Sequence, residues 1–116
     1  MLGQEGKEKK KELLRILSEC VNACNHCFSA CLREDDVKMM EQCIRLDREC
    51  AEVCSFTILM FHHNKFVDKY LELCEMVCEA CAEECSKFTE DHCQQCAEKC
   101  KECSEKCREF RGMVKR

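Results

Sequence analysis

Sixteen cysteines are spread through this 116-residue chain at helical intervals. They fall into four sets: Cys20, Cys24, Cys27 and Cys31; Cys43, Cys50 and Cys54; Cys74, Cys78, Cys81 and Cys85; and Cys93, Cys96, Cys100, Cys103 and Cys107. Steps of three, four and seven place each set on one face of an α-helix. Four helices that each bury such a stripe bring all sixteen sulfurs into one interior. The pattern therefore predicts an all-α fold, an antiparallel up-down four-helix bundle with a cysteine-lined core.

The rest of the composition agrees. Proline is absent and the three glycines are Gly3, Gly6 and Gly112, so no helix breaker lies between positions 7 and 111. A chain of this length makes one domain. We expect helices over about 8–33, 37–61, 65–87 and 92–112. Glu34, Asp35 and Asp36 supply the first turn and a carboxylate cap, His62 and His63 the second turn with Asn64 as cap, and Thr89, Glu90 and Asp91 the third. Gly112 suits the end of the last helix. Turns this short make successive helices antiparallel neighbours. Residues 1–12, rich in lysine, read as a charged, mobile segment ahead of a bundle domain at 13–116.

Beyond the cysteines, the stripes give the bundle a direction. At one end they continue as Leu13, Ile16, Leu17, Ile58, Phe61, Val67, Tyr70, Leu71, Phe110 and Val114, an apolar plug. At the other end they finish in Met39, Met40, Phe88 and His92. The 46% apolar fraction counts cysteine as hydrophobic, so thiols hold positions that leucine or isoleucine would otherwise fill. Further apolar residues lie off the stripes, among them Leu14, Val21, Phe28, Ile44, Val53 and Met60, and serve packing between helices or assembly.

A thiol-lined interior points to a soft metal. Disulfides fit poorly: cysteines four apart on one helix have nearly parallel Cα–Cβ directions, and no export signal precedes the pattern. Copper(I) suits best, because two or three sulfurs satisfy it and each positive charge cancels one thiolate. With each thiolate bridging two ions, sixteen thiolates hold about sixteen. Protonated thiols behave as small hydrophobes, so the empty bundle can also fold. Zinc is a competitor, but each four-cysteine site carries a surplus charge of about −2. The Cys93, Cys96, Cys100, Cys103 run lacks the spacing and the Cys-Pro of a ferredoxin.

Around the thiols, Met39, Met40 and His92 read as soft ligands at the open rim, or else as ordinary packing and surface residues. Asp47 occupies the place of a missing cysteine. It is either an oxygen ligand or hydrogen-bond partner in the core, or it leans to the flank, with Leu46 the other inward choice. His26 falls off the stripe, where exposure is expected, and His62 and His63 sit in a turn. Met60, Met76 and Met113 read as packing. Sixteen cysteines against four histidines leave too few bases for nucleophilic catalysis, so no enzyme is expected. The net charge of −4 on well-mixed charges excludes a nucleic-acid footprint, and no membrane span or export signal is read. A cytoplasmic protein follows.

The segments Cys24-Asn-His-Cys27-Phe-Ser-Ala-Cys31, Cys43-Ile-Arg-Leu-Asp47-Arg-Glu-Cys50-Ala-Glu-Val-Cys54, Cys74-Glu-Met-Val-Cys78-Glu-Ala-Cys81-Ala-Glu-Glu-Cys85 and His92-Cys93-Gln-Gln-Cys96-Ala-Glu-Lys-Cys100 onward to Cys107 closely resemble the cytosolic copper storage proteins. The resemblance spans about 20–107. It implies storage of many Cu(I) ions on inward cysteines, a homotetramer, and copper arriving at one open end, which Met39, Met40 and His92 line here. Two other readings stay open: a thiol–disulfide redox protein, and a zinc storage or structural zinc protein.

Overall fold

Without a proline and with charged, good helix formers between the cysteines, most of the chain is helical. The computed structural model describes residues 4–63 and 65–114, and of Val114 the backbone alone. Four helices make it up: α1 (Gln4–Cys31), α2 (Glu41–Phe61), α3 (Val67–Cys85) and α4 (Asp91–Val114), with a 3-10 turn, Val37–Met40, leading into α2. There is no strand among the described residues. Each helix packs on two neighbours, α1 on α2 and α4, and α3 on α2 and α4, giving the expected antiparallel bundle. Its extents are 50 × 20 × 17 Å, a rod little longer than its longest helix.

Several boundaries differ from expectation. Helix α1 begins at Gln4, so it runs unbroken through the charged segment and across the expected boundary at position 12. Lysine and glutamate favour helix, and Lys10 lies over the Phe61 ring at 5.4 Å, which ties this stretch to the bundle. The carboxylate cap expected from Glu34, Asp35 and Asp36 is not formed: Asp36, at the cap position, precedes the 3-10 turn without a side-chain capping bond, and the turn is closed by backbone, Met39 N–H donating to Asp36 C=O at 3.0 Å. Helix α3 starts two residues later than expected, after Phe66, again without a side-chain cap. Asn64, the expected cap, lies outside the described residues. Gly112 does not end the last helix, which continues to Val114.

The apolar plug is present. Leu13, Ile16, Leu17, Phe61, Leu71 and Phe110 are buried, with Phe61 and Phe110 edge to face at 5.2 Å. Ile58 and Val67 are half-buried against it, and Tyr70 meets Phe56 edge-on at 5.4 Å. Thr57 also turns inward, its hydroxyl donating to Val53 C=O one turn back at 2.7 Å. The side chain of Val114 is not among those described. Outside, α4 is clamped to α3 by Arg108 on Glu75 and Glu79 and by Arg111 on Asp68 and Glu75.

Helical backbone at Gly112 with open space where a Cβ would stand makes a sharp expectation. Gly112→Ala should raise the stability of the reduced, metal-free protein by up to about 1 kcal/mol. Phe110→Ala should lower it by about 3–5 kcal/mol through the cavity left in the plug. Urea unfolding measures both, and a loss of stability in Gly112→Ala would restore the glycine as a helix terminator.

Candidate metal centre

The stripes converge as the helical phase requires: all sixteen cysteines are fully buried and all are free thiols. They form a continuous column of sulfur. Next to the plug, Cys54 Sγ lies 3.4 Å from Cys74 and 3.6 Å from Cys78. Midway, Cys50 is 3.6 Å from Cys78, Cys20 is 3.8 Å from Cys100, and Cys24 is 3.6 Å from Cys100 and 3.8 Å from Cys96. Toward the far end, Cys43 and Cys85 approach to 3.2 Å, and Cys31 lies 3.7 Å from both Cys27 and Cys93.

Within single helices, the four-residue pairs Cys27/Cys31, Cys50/Cys54, Cys74/Cys78, Cys81/Cys85 and Cys96/Cys100 are separated by 3.7–4.0 Å. A metal–thiolate bond of about 2.3 Å lets two or three sulfurs at such separations share one ion. Sets whose ligand atoms all lie within 4.8 Å of one another include Cys20/Cys24/Cys50/Cys100, Cys20/Cys54/Cys78/Cys103 and Cys24/Cys81/Cys96/Cys100. Cys103 thus joins the column, and Cys107, equally buried, follows it one turn later on α4.

Asp47 resolves its alternatives inward. It is fully buried, while Leu46 takes the half-buried flank. Its Oδ1 accepts from Cys81 and Cys85 at 3.4 Å and from Cys96 at 3.3 Å, and Oδ2 faces Cys43 at 3.9 Å. Burial, reinforced by repulsion from Cys96, pushes its carboxyl up to about 8. Asp47 also belongs to a ligand set with Cys27, Cys31 and Cys43. At the open end, burial and repulsion from Cys43 push the Cys31 thiol up to about 12, and the same causes raise Cys93. In the empty bundle the Cys31 and Cys93 thiols are therefore protonated at neutral pH.

The rim residues part company. His92 is at the column's end: Nδ1 lies 3.7 Å from Cys31 Sγ and 3.6 Å from Cys93 Sγ, and Cys27/Cys31/His92/Cys93 forms a further ligand set. Met40 is buried, whereas Met39 is 73% exposed. Both lie in the 3-10 turn, whose winding is tighter than that of an α-helix, and of the two flanking methionines only Met40 faces the core. Phe88 is half-buried against the core. His26 is exposed as expected, yet its ring is edge-on to His92 at 6.4 Å, while His62 and His63 are exposed in their turn. Besides the inward Thr57, two more polar residues carried no sequence signal. Ser104 is buried, its hydroxyl without a partner among the described residues, and Glu34, read only as a turn residue, reaches His92.

Comparison with known proteins places this geometry. A family model described as copper storage protein matches residues 6–112. The Cu(I)-bound copper storage protein BsCsp3, from Bacillus subtilis, is 40% identical, with a TM-score of 0.84 over 88% of this chain and 97% of its own. A cytosolic copper storage protein from Streptomyces lividans, holding five coppers, is 32% identical, with a TM-score of 0.90 over 95% of this chain and 98% of its own. The cysteine-rich protein YhjQ of Bacillus subtilis (strain 168) is 46% identical over 63 residues, which are 53% of this chain and only 58% of that relative's length.

The buried carboxyl has a thermodynamic signature. Its folded value lies above the ordinary carboxylate value of about 3.9. The stabilisation is thus complete below about pH 4 and is lost as pH rises toward 8, at up to about 1.4 kcal/mol per pH unit. Denaturation of the reduced, metal-free protein across that window should show this slope, and Asp47→Asn should flatten it. Equal slopes in the two proteins would place the carboxylate in solvent.

Proposed function

The chain belongs to the copper storage protein family, and from that premise we propose that it stores many Cu(I) ions on its sixteen interior thiolates. The observation that carries this is the column of sulfurs from Cys74 to Cys31: neighbours lie 3.2–4.0 Å apart within an inner and an outer group, and the Cys24/Cys81/Cys96/Cys100 set, with its ligand atoms within 4.8 Å of one another, joins the two beside Asp47. Any ion bound there has soft ligands within reach on both sides.

Charge balance favours a monovalent ion over zinc. Among the described residues the buried polar or charged side chains are Asp47, Thr57 and Ser104, so no cation lies inside to offset a surplus thiolate charge. One Cu(I) per thiolate leaves the interior neutral, whereas four-cysteine zinc sites would leave about −2 each. Thiol–disulfide cycling is disfavoured on other grounds, because a redox cysteine needs an accessible thiolate and all sixteen sulfurs are fully buried.

The ends of the rod support a direction of traffic. Leu13, Phe61 and Phe110 close one end, so copper enters at the other, where His92 borders solvent at 12% exposure. There Met39 offers an exposed thioether, Met40 a buried one, and Asp47 a carboxylate deeper along the column. The protein acts stoichiometrically, as a store without catalytic turnover. A homotetramer is the assembly its family resemblance implies. Phe56, Leu59, Phe66, Leu73 and Met76, exposed on α2 and α3 or the turn between them, would gain from such cover. No helix of the described residues is long and apolar enough to cross a membrane. A cytoplasmic location rests on likeness to the Streptomyces protein.

Anaerobic titration of the reduced protein with Cu(I) against a competing chelator tests this reading. We expect about sixteen tightly held ions per chain, with close to one proton released for each at neutral pH. Saturation at one or two ions would contradict storage.

A further inference from the structure

Glu34 sits in the turn that follows α1, held there by its own backbone N–H, which donates to Cys31 C=O at 3.1 Å. Its carboxylate Oε2 lies 2.9 Å from His92 Nε2 across the mouth, a contact between residues 58 positions apart. A carboxylate can only accept, so Nε2 carries the proton. In the neutral imidazole that leaves the lone pair on Nδ1, the nitrogen that lies 3.6–3.7 Å from the Cys31 and Cys93 sulfurs.

An ordinary surface ion pair would leave the far edge of the imidazole in solvent and contribute little. Here the far edge meets two buried thiols, and His92 is only 12% exposed against 35% for Glu34. The arrangement is that of a metal-ligating histidine fixed through its other nitrogen by a carboxylate, which sets ring orientation and tautomer and raises the basicity of the ligating nitrogen. We infer that Glu34 is a positioning residue of the copper mouth: it pins His92 with Nδ1 facing Cys31 and Cys93, so that an arriving Cu(I) meets a preformed nitrogen and sulfur site. Glu34 touches no ion itself and acts through His92.

This inference rests on the storage reading, and the test separates the two. Cu(I), supplied anaerobically as a weak chelate, is mixed rapidly with reduced protein while copper–thiolate absorbance is followed. The imidazole nitrogens of 15N-labelled protein are read by NMR before and after one equivalent. Glu34→Ala should slow the first loading phase by about tenfold or more. Glu34→Gln, whose amide oxygen still accepts from Nε2, should recover most of the rate. In the starting protein Nε2 should be the protonated nitrogen and copper should perturb Nδ1, whereas in Glu34→Ala the perturbation should divide between the two nitrogens. Added to His92→Ala, Glu34→Ala should slow loading no further. An unchanged rate with an unchanged Nδ1 signature in Glu34→Ala, or a full additional loss in the His92→Ala background, would overturn the role of Glu34 while leaving storage intact. A starting protein that fails to fill its thiols would overturn storage and this inference with it.

Discussion

Everything in this bundle depends on keeping buried sulfur neutral. A thiolate taken out of water without a partner is costly, and sixteen of them in one interior could not be tolerated. Two states satisfy the constraint. With protons on the sulfurs the core is a set of small, weakly polar side chains packed as hydrophobes, and with one Cu(I) per thiolate the charge again cancels. The same helices can therefore enclose either core, with the metal filling space along the axis that leucine would have occupied. Loading is then an exchange of protons for copper ions inside a fixed frame.

That frame is built to hold its shape while its contents change. The plug of Leu13, Ile16, Leu17, Phe61, Leu71 and Phe110 supplies hydrophobic burial that does not involve sulfur. On the outside, Arg111, 19% exposed between Asp68 and Glu75, and Arg108 on Glu75 and Glu79 hold α4 to α3 independently of the core. Asp47 is the exception in the column, a carboxyl that meets four thiols and is kept protonated by burial in the empty state. It gives the middle of a uniform sulfur environment one carboxyl oxygen pair and one more exchangeable proton.

The helical phase of the cysteines made the bundle and its interior readable from the chain alone, since burial of one face is a property of spacing. Phase carried less far where local geometry departs from the α-helix. Met39 and Met40, four and three residues before Cys43, flank the stripe alike by counting, but with the 3-10 turn at Val37–Met40 only Met40 is buried and Met39 stands in solvent. Asp47 and Leu46 were equivalent by phase, and only the packing of α3 and α4 around α2 decided between them. Glu34 carried no signal, because its partner is a histidine on another helix and its own neighbours look like any acidic turn. Gly112 and the charged start of α1 were misjudged for a related reason: both are ordinary helix here, where good helix formers around them outweighed the local cue.

The most direct measurement is a crystal structure of the fully loaded protein with anomalous scattering recorded at the copper edge. Storage inside the bundle requires a file of copper sites running from the Cys54 and Cys74 level to Cys31, Cys93 and His92. Each site should have two or three sulfur neighbours, and the four helices should stay where they are in the empty protein. Copper confined to the surface, or one or two interior ions with the remaining thiols untouched, would contradict it.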